Sequence, residues 1–269
     1  MISIKKNVII YLLIIILLKI QIIQFKMQKF LRLYLFLLSK IKHLPILQKQ
    51  TYPIFIILGH PRTGTSLLHT YLNSHPQLLS LNEALSNEAN LTNLLSPKPF
   101  FIKAVGFKFF YEYIKNEDKQ LILFNLLKNW EVKIINIKRK NLLRIYASLL
   151  IAEKTQEWSS TESNTKNHKS ITINAEECEK AFYQYKSLEK IADEFVAQSN
   201  AKIIEVEYES YIEFPDLYNY KILKFLGLKP IKLHSLLKKQ NPEPLENLIS
   251  NYTELKDYFK NSEFEIFFE

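Results

Sequence analysis

Three features of the sequence predict an α/β fold of three layers, with a mostly parallel central sheet flanked by helices. Short runs rich in apolar residues recur at 54–58, 104–108, 132–137 and 202–207, the first of them wholly apolar, as the strands of a covered sheet require. Longer segments with helical spacing of apolar residues lie between them, at 65–74, 118–129, 141–154 and 175–198, and such alternation favours parallel strands joined by helical crossovers. Only four glycines occur in 269 residues, and Gly59 and Gly64 bracket the turn between the first strand and the first helix.

Residues 1–50 read as an N-terminal anchor and stem, and 51–269 as one domain, for which 47% hydrophobic content supplies ample core. Val8–Leu18 is an unbroken apolar run of 11 residues preceded by Lys5 and Lys6. A spanning helix needs about 20 residues, so only the whole of 8–25 would cross a bilayer, with Lys19 snorkelling to its edge. Phe30–Leu38, interrupted by Arg32 and flanked by Lys29 and Lys40, suits an interfacial helix. Membrane attachment through the N-terminus is therefore expected. Pro45 and the polar stretch 48–51 end the stem.

The first strand, Ile54–Leu58, runs into Gly59-His60-Pro61-Arg62-Thr63-Gly64-Thr65-Ser66 and then a helix carrying Leu67, Leu68, Tyr71 and Leu72. Strand, tight loop and helix start together aim backbone N–H groups and the positive end of a helix at an anion. The loop keeps the glycine spacing of G-x-x-x-x-G-K-[ST], but Thr65 stands where the lysine of a nucleotide-hydrolysing P-loop belongs, and the cation is instead Arg62. The strand at 133–137 ends in Lys138-Arg139-Lys140 and offers no Asp for a divalent ion. The basic turn then opens a helix, where cations oppose the helix dipole unless an anion lies between them. Helix 175–198 shows an apolar stripe at Cys178, Ala181, Phe182, Tyr185, Leu188, Ala192, Phe195 and Val196. The segment 158–170, rich in Ser, Thr, Asn and Lys, reads as a loop.

Composition excludes several classes. A single Cys178 rules out an intramolecular disulfide and a cysteine metal cluster, and six scattered His residues lack ligand spacing. Net charge of +9 suits a polyanionic small molecule. No basic helix interleaved with aromatics argues for nucleic acid.

The run Pro61-Arg62-Thr63-Gly64-Thr65-Ser66-Leu67-Leu68 resembles the 5′-phosphosulfate loop of sulfotransferases that use 3′-phosphoadenosine 5′-phosphosulfate (PAPS). Three further stretches fall in that family's order: Val105-Gly106-Phe107-Lys108, Ile134 to Ser148, and Ile203 to Tyr211 followed by Phe225-Leu226-Gly227-Leu228. The likeness is greatest to carbohydrate and nodulation-factor sulfotransferases. It implies a P-loop-like fold and a metal-independent transfer of a sulfuryl group from PAPS to a hydroxyl of a carbohydrate or glycolipid. It also makes a single-pass Golgi location the expected one, with the cytoplasm as the other.

The resemblance implies roles for particular residues. Arg62, with Thr63, Gly64, Thr65 and Ser66, would hold the phosphosulfate, helped by Lys108. Arg139 and Ser148 match the grip on the 3′-phosphate, although their spacing of nine exceeds the usual eight and leaves Lys140 as a rival. Tyr208 matches a tyrosine near the adenine. Cytosolic members place a histidine two residues after the strand lysine, where this chain has Phe110. The matching base is therefore Glu83, as in bacterial and Golgi-type relatives, with His69 and His75 as weaker candidates. Two rival readings stay open on the sequence: a metal-dependent P-loop nucleotide phosphotransferase, and an inactive nucleotide-binding relative.

Overall fold

The computed structural model describes residues 26–43, 48–49, 52–86, 88–159, 170–238 and 240–268. The expected spanning segment 8–25 and most of the expected loop 158–170 lie outside them. The chain divides into two units, Met1–Leu44 and Pro45–Glu269. In the first, residues 26–41 form helix α1. No described helix is long and apolar enough to cross a membrane.

The second unit carries the alternation. In chain order it holds β1 (Gln48–Lys49), β2 (Ile54–Gly59), α2 (Thr65–Asn73), β3 (Leu78–Leu81), α3 (Glu88–Leu95), β4 (Lys98–Pro99), β5 (Ala104–Phe110), α4 (Glu117–Asn129), β6 (Val132–Lys138) and α5 (Leu142–Thr155). There follow α6 (Ala175–Ala197), β7 (Lys202–Glu207), α7 (Tyr208–Glu213), α8 (Pro215–Phe225), α9 (Leu245–Leu248) and α10 (Tyr252–Tyr258). The four strands and four helices read from the sequence all form, with ends within a residue or two. The sequence reading missed the edge strand β3 and the helices α3, α7 and α8. Leu78–Leu81 is too short to show a period, and the six residues of α7 directly continue the β7 run.

The main sheet has the order β3-β5-β2-β6-β7, with every neighbouring pair parallel. A small antiparallel pair, β1 with β4, stands apart. Because successive side chains in a strand point to opposite faces, Ile54, Ile56 and Leu58 enter one core with Leu123 and Leu126 of α4 and Leu188, Ala192 and Val196 of α6. Phe55 and Ile57 enter the other, with Leu68 and Leu72 of α2, Tyr211 of α7 and Ile222 and Leu223 of α8. Three layers result, as expected. A third core joins α5 and α6 to the C-terminal helices through Phe182, Phe259 and Phe264, and it encloses Cys178.

This topology positions the site. The connection leaving β2 passes to α2 on one face, whereas the path from β6 leads to α6 on the other. Adjacent strands whose connections diverge open a crevice at their carboxyl ends. In sheet order, those ends deliver Glu83, Lys108, the loop 59–66, Arg139 and Tyr208.

Candidate active site

The loop after β2 is bent by two left-handed residues, Arg62 (φ 68°) and Gly64 (φ 93°). A Cβ on Gly64 would lie 2.5 Å from the Tyr208 ring, and one on Gly59 would lie 2.6 Å from the Ile137 carbonyl oxygen. Both positions therefore need glycine, one for conformation and contact, the other for close strand packing. Gly64 is the N-cap of α2 and provides no side-chain acceptor, and the first turn contains no acid. The leading N–H groups of α2 thus face the crevice with the helix's positive end behind them.

Beneath the loop, His60 is buried. Its Nε2–H donates to the Tyr185 carbonyl at 3.1 Å, and its Nδ1 lies 3.0 Å from Glu112 Oε1. Thr63 was expected among the phosphosulfate ligands, but its hydroxyl donates to the His60 carbonyl at 2.7 Å and the residue is buried. Thr63 thus closes the loop and is not among the residues that line the pocket.

A pocket of about 310 Å³ opens in front of the loop. Arg62, Arg139, Arg144 and Lys238 line it together with Gly64, Thr65, Ser66, Ser148 and Tyr208, and no described carboxylate does. No group of described His, Cys, Asp and Glu residues could hold a metal ion.

Arg62 departs from its expected place. Its left-handed backbone sends the guanidinium across to α5, where Nε donates to Ser148 Oγ at 3.0 Å, Nη2 to Gln240 Oε1 at 2.5 Å and Nη1 to the Trp158 carbonyl at 2.7 Å. Two separate pockets were expected, one on Arg62 and one on Arg139 with Ser148. The structure merges them.

Arg139 is the residue that reaches this pocket; Lys140 is not. Arg139 Nη1 donates to the Arg62 carbonyl at 3.0 Å, and its guanidinium lies 4.5 Å above the Tyr208 ring. The Lys140 side chain is 72% exposed and pairs with Glu207 at 2.8 Å. Tyr208 lines the pocket, and it also supports Arg139 and fits against Gly64. Burial lowers the Arg139 guanidinium from its usual range; burial and then Arg139 do the same to Arg62. An anion between the two would remove that penalty.

A second cluster adjoins the loop on the side of β3 and β5. Buried Lys108 donates to Ser66 Oγ at 3.1 Å and stands 3.7 Å from Glu83 Oε1. Burial lowers the Lys108 ammonium from its usual range, and Glu83 partly opposes the shift. The Tyr113 hydroxyl donates to Glu83 Oε2 at 2.6 Å. Ser66 therefore joins the pocket to a lysine–carboxylate pair. The two histidine candidates serve packing: His69 Nδ1 meets Ser80 Oγ at 2.7 Å, and His75 accepts from the Gln77 N–H and bonds the Lys229 carbonyl.

A profile of the sulfotransferase family matches residues 53–102, from the loop strand through Glu83. Over 245 residues, 80% of this chain and 94% of the relative, the chain is 28% identical to Nodulation protein H of Rhizobium meliloti (strain 1021). Nodulation protein H of Rhizobium tropici is 26% identical over 244 residues, 80% of this chain and 92% of that one. The chain is thus similar to sulfotransferases over most of its length. Among solved structures, the sulfotransferase from Alicyclobacillus acidocaldarius is similar at 16% identity and a TM-score of 0.49, covering 78% of this chain and 92% of that one.

Several residues of the candidate site had no legible signal. Gln240 and Asn241 come from an irregular segment far along the chain, and Arg144 lies one turn into α5 with Nη1 donating to the Glu243 carbonyl at 2.8 Å. Tyr113 follows β5 in a short 3-10 turn. The one available hint was electrostatic: Arg144 is a further cation in the first turn of a helix, where it opposes the dipole.

Proposed function

We propose that this sulfotransferase moves a sulfuryl group from PAPS to a hydroxyl of a carbohydrate or glycolipid. The observation that carries the donor is the bond from Arg62 Nε to Ser148 Oγ, which joins the loop after β2 to the helix after β6 across one cationic, carboxylate-free pocket. A bisphosphorylated nucleotide suits such a lining, because guanidinium groups and backbone N–H groups neutralise phosphate without a divalent ion. Arg139 Nε and Asn241 Oδ1, on two residues that line the pocket, are buried without a hydrogen-bond partner, and that Nε lies 3.8 Å from the charge of Glu209 at Oε1. The likeness to nodulation proteins and the loop's own resemblance favour a carbohydrate-like acceptor.

Bound, PAPS would supply the SO₃ group and retain the electron pair of the broken S–O bond on its 5′-phosphate. The chain's residues supply alignment and charge. The first N–H groups of α2, Thr65 and Ser66 hold the 5′ end; Arg139, Ser148 and Arg62 hold the 3′ end. Lys108, bonded to Ser66, stands where negative charge grows on the leaving phosphate. Glu83 accepts the proton from the acceptor hydroxyl, with Tyr113 fixing one carboxylate oxygen and Lys108 facing the other.

Incubation with PAPS labelled in its sulfuryl group and extracted glycans or glycolipids tests the reading. Label should appear in a carbohydrate product, and Arg139→Ala should abolish both that transfer and the thermal shift produced by 3′-phosphoadenosine 5′-phosphate. A nucleotide shift without transfer to any acceptor would mean a binding protein. A requirement for ATP and Mg²⁺ would mean a phosphotransferase.

A further inference from the structure

The apolar side of α1 has no role in the proposed chemistry. At 3.6 residues per turn, Met27, Phe30, Leu33, Tyr34, Leu37 and Ile41 fall within about a third of the helix circumference. All six are exposed, Phe30 at 76% and Met27 at 67%. Water-facing stripes of this kind mark a surface that something else covers. The charges are of one sign: Lys29, Arg32 and Lys40 are exposed outside the stripe, Lys26 is exposed within its first described turn, and residues 26–41 contain no Asp or Glu. Indeed the first carboxylate side chain of the whole sequence is Glu83.

We infer that α1 is an interfacial helix that lies in the surface of an anionic lipid bilayer, with its apolar stripe in the acyl boundary and its cations among the headgroups. Its 16 described residues span about 24 Å, and the exposed cations at 29, 32 and 40 are spread along that length, as suits a helix lying in the plane of the interface. The spacing 27, 30, 34, 37, 41 would also suit pairing with a second copy. That pairing would bring lysines and arginine together with no acid on either helix to meet them. Anionic headgroups satisfy the stripe and the charge together. This inference does not depend on the sulfuryl chemistry.

Flotation of the full chain with phosphatidylcholine vesicles, with and without phosphatidylserine, tests it. The protein should float with the anionic vesicles and be released by high salt. Lys29→Gln/Lys40→Gln should weaken partitioning roughly thirty-fold, at about 1 kcal/mol per cation. Phe30→Glu/Leu37→Glu should abolish flotation while leaving the melting transition of the chain in place. Phe30→Trp, which keeps the apolar face, should add blue-shifted emission with anionic vesicles alone. Three results overturn the inference: continued flotation of Phe30→Glu/Leu37→Glu, which would put attachment in residues 8–25; equal affinity for neutral vesicles; or a vesicle-independent dimer that the same double variant dissociates. Failure of the wild-type chain to float overturns it as well.

Discussion

Arg139 donates an Nη1–H to the backbone carbonyl of Arg62 across 3.0 Å, tying the turn after β6 to the loop after β2. The strands are parallel neighbours, with Leu58 opposite Asn136, so the two turns emerge side by side at one sheet edge. Burial lowers both guanidinium groups from their usual range, and the charge of Arg139 lowers that of Arg62 further. The arrangement is costly without an anion and favourable with one, which makes the pair the centre of the binding argument.

If Ser148 Oγ belongs to the nucleotide site, Ser148→Ala should weaken binding of 3′-phosphoadenosine 5′-phosphate by about 1–3 kcal/mol, the penalty for stranding a buried charged donor. Calorimetry on Ser148→Ala, Arg62→Ala and the double variant gives their coupling. A coupling energy of about 0.5–3 kcal/mol is expected for residues in contact. Strict additivity would separate the two residues functionally.

Gly64→Ala should be among the most damaging loop substitutions. The left-handed φ of 93° costs an alanine about 1–2 kcal/mol. The Cβ also meets the Tyr208 ring at 2.5 Å. Adding Tyr208→Ala should recover the steric part of the lost thermal stability and leave the conformational part. No recovery at all would show that the Tyr208 contact is not what excludes a side chain.

Glu83→Gln should reduce kcat by about 10²–10⁴, the usual worth of a positioned base, with affinity for 3′-phosphoadenosine 5′-phosphate nearly unchanged. Tyr113→Phe removes the 2.6 Å bond to Glu83 and should give a smaller fall in kcat with the same unchanged affinity. Steady-state kinetics beside calorimetry separates these outcomes. Joint loss of turnover and affinity would assign the pair to binding.

Cys178 is fully buried, and burial pushes its thiol from 9.0 up to about 12. An aromatic disulfide reagent at neutral pH should therefore leave the native protein unmodified and react only after denaturant unfolds it. Because the folded value is the raised one, the thiol's contribution to stability is complete below pH 9. It is lost as pH climbs through the interval from 9 to about 12. Melting curves of Cys178→Ala should lack that part of the alkaline decline, and an identical decline in both proteins would contradict the assignment.

The sequence alone determined the parts that depend on near neighbours. The wholly apolar run Ile54–Leu58, ended by Gly59, read as a buried strand, and Gly59 and Gly64 marked the tight turn that follows it. The cations and hydroxyls of the loop stood out in the sequence by themselves, whereas Arg139, Ser148 and Glu83 were candidates only through the resemblance to the sulfotransferase motifs. Strand order was not legible, since nothing local says that β5 and β6 flank β2, and that order sets Glu83 beside Lys108 and Arg139 beside Arg62. Direction was hidden too. Thr63 turns inward onto the His60 carbonyl through the local backbone angles of the loop, and Arg62 crosses to Ser148 beside acceptors at 158 and 240, residues far apart in sequence that only the folded chain brings within 3 Å.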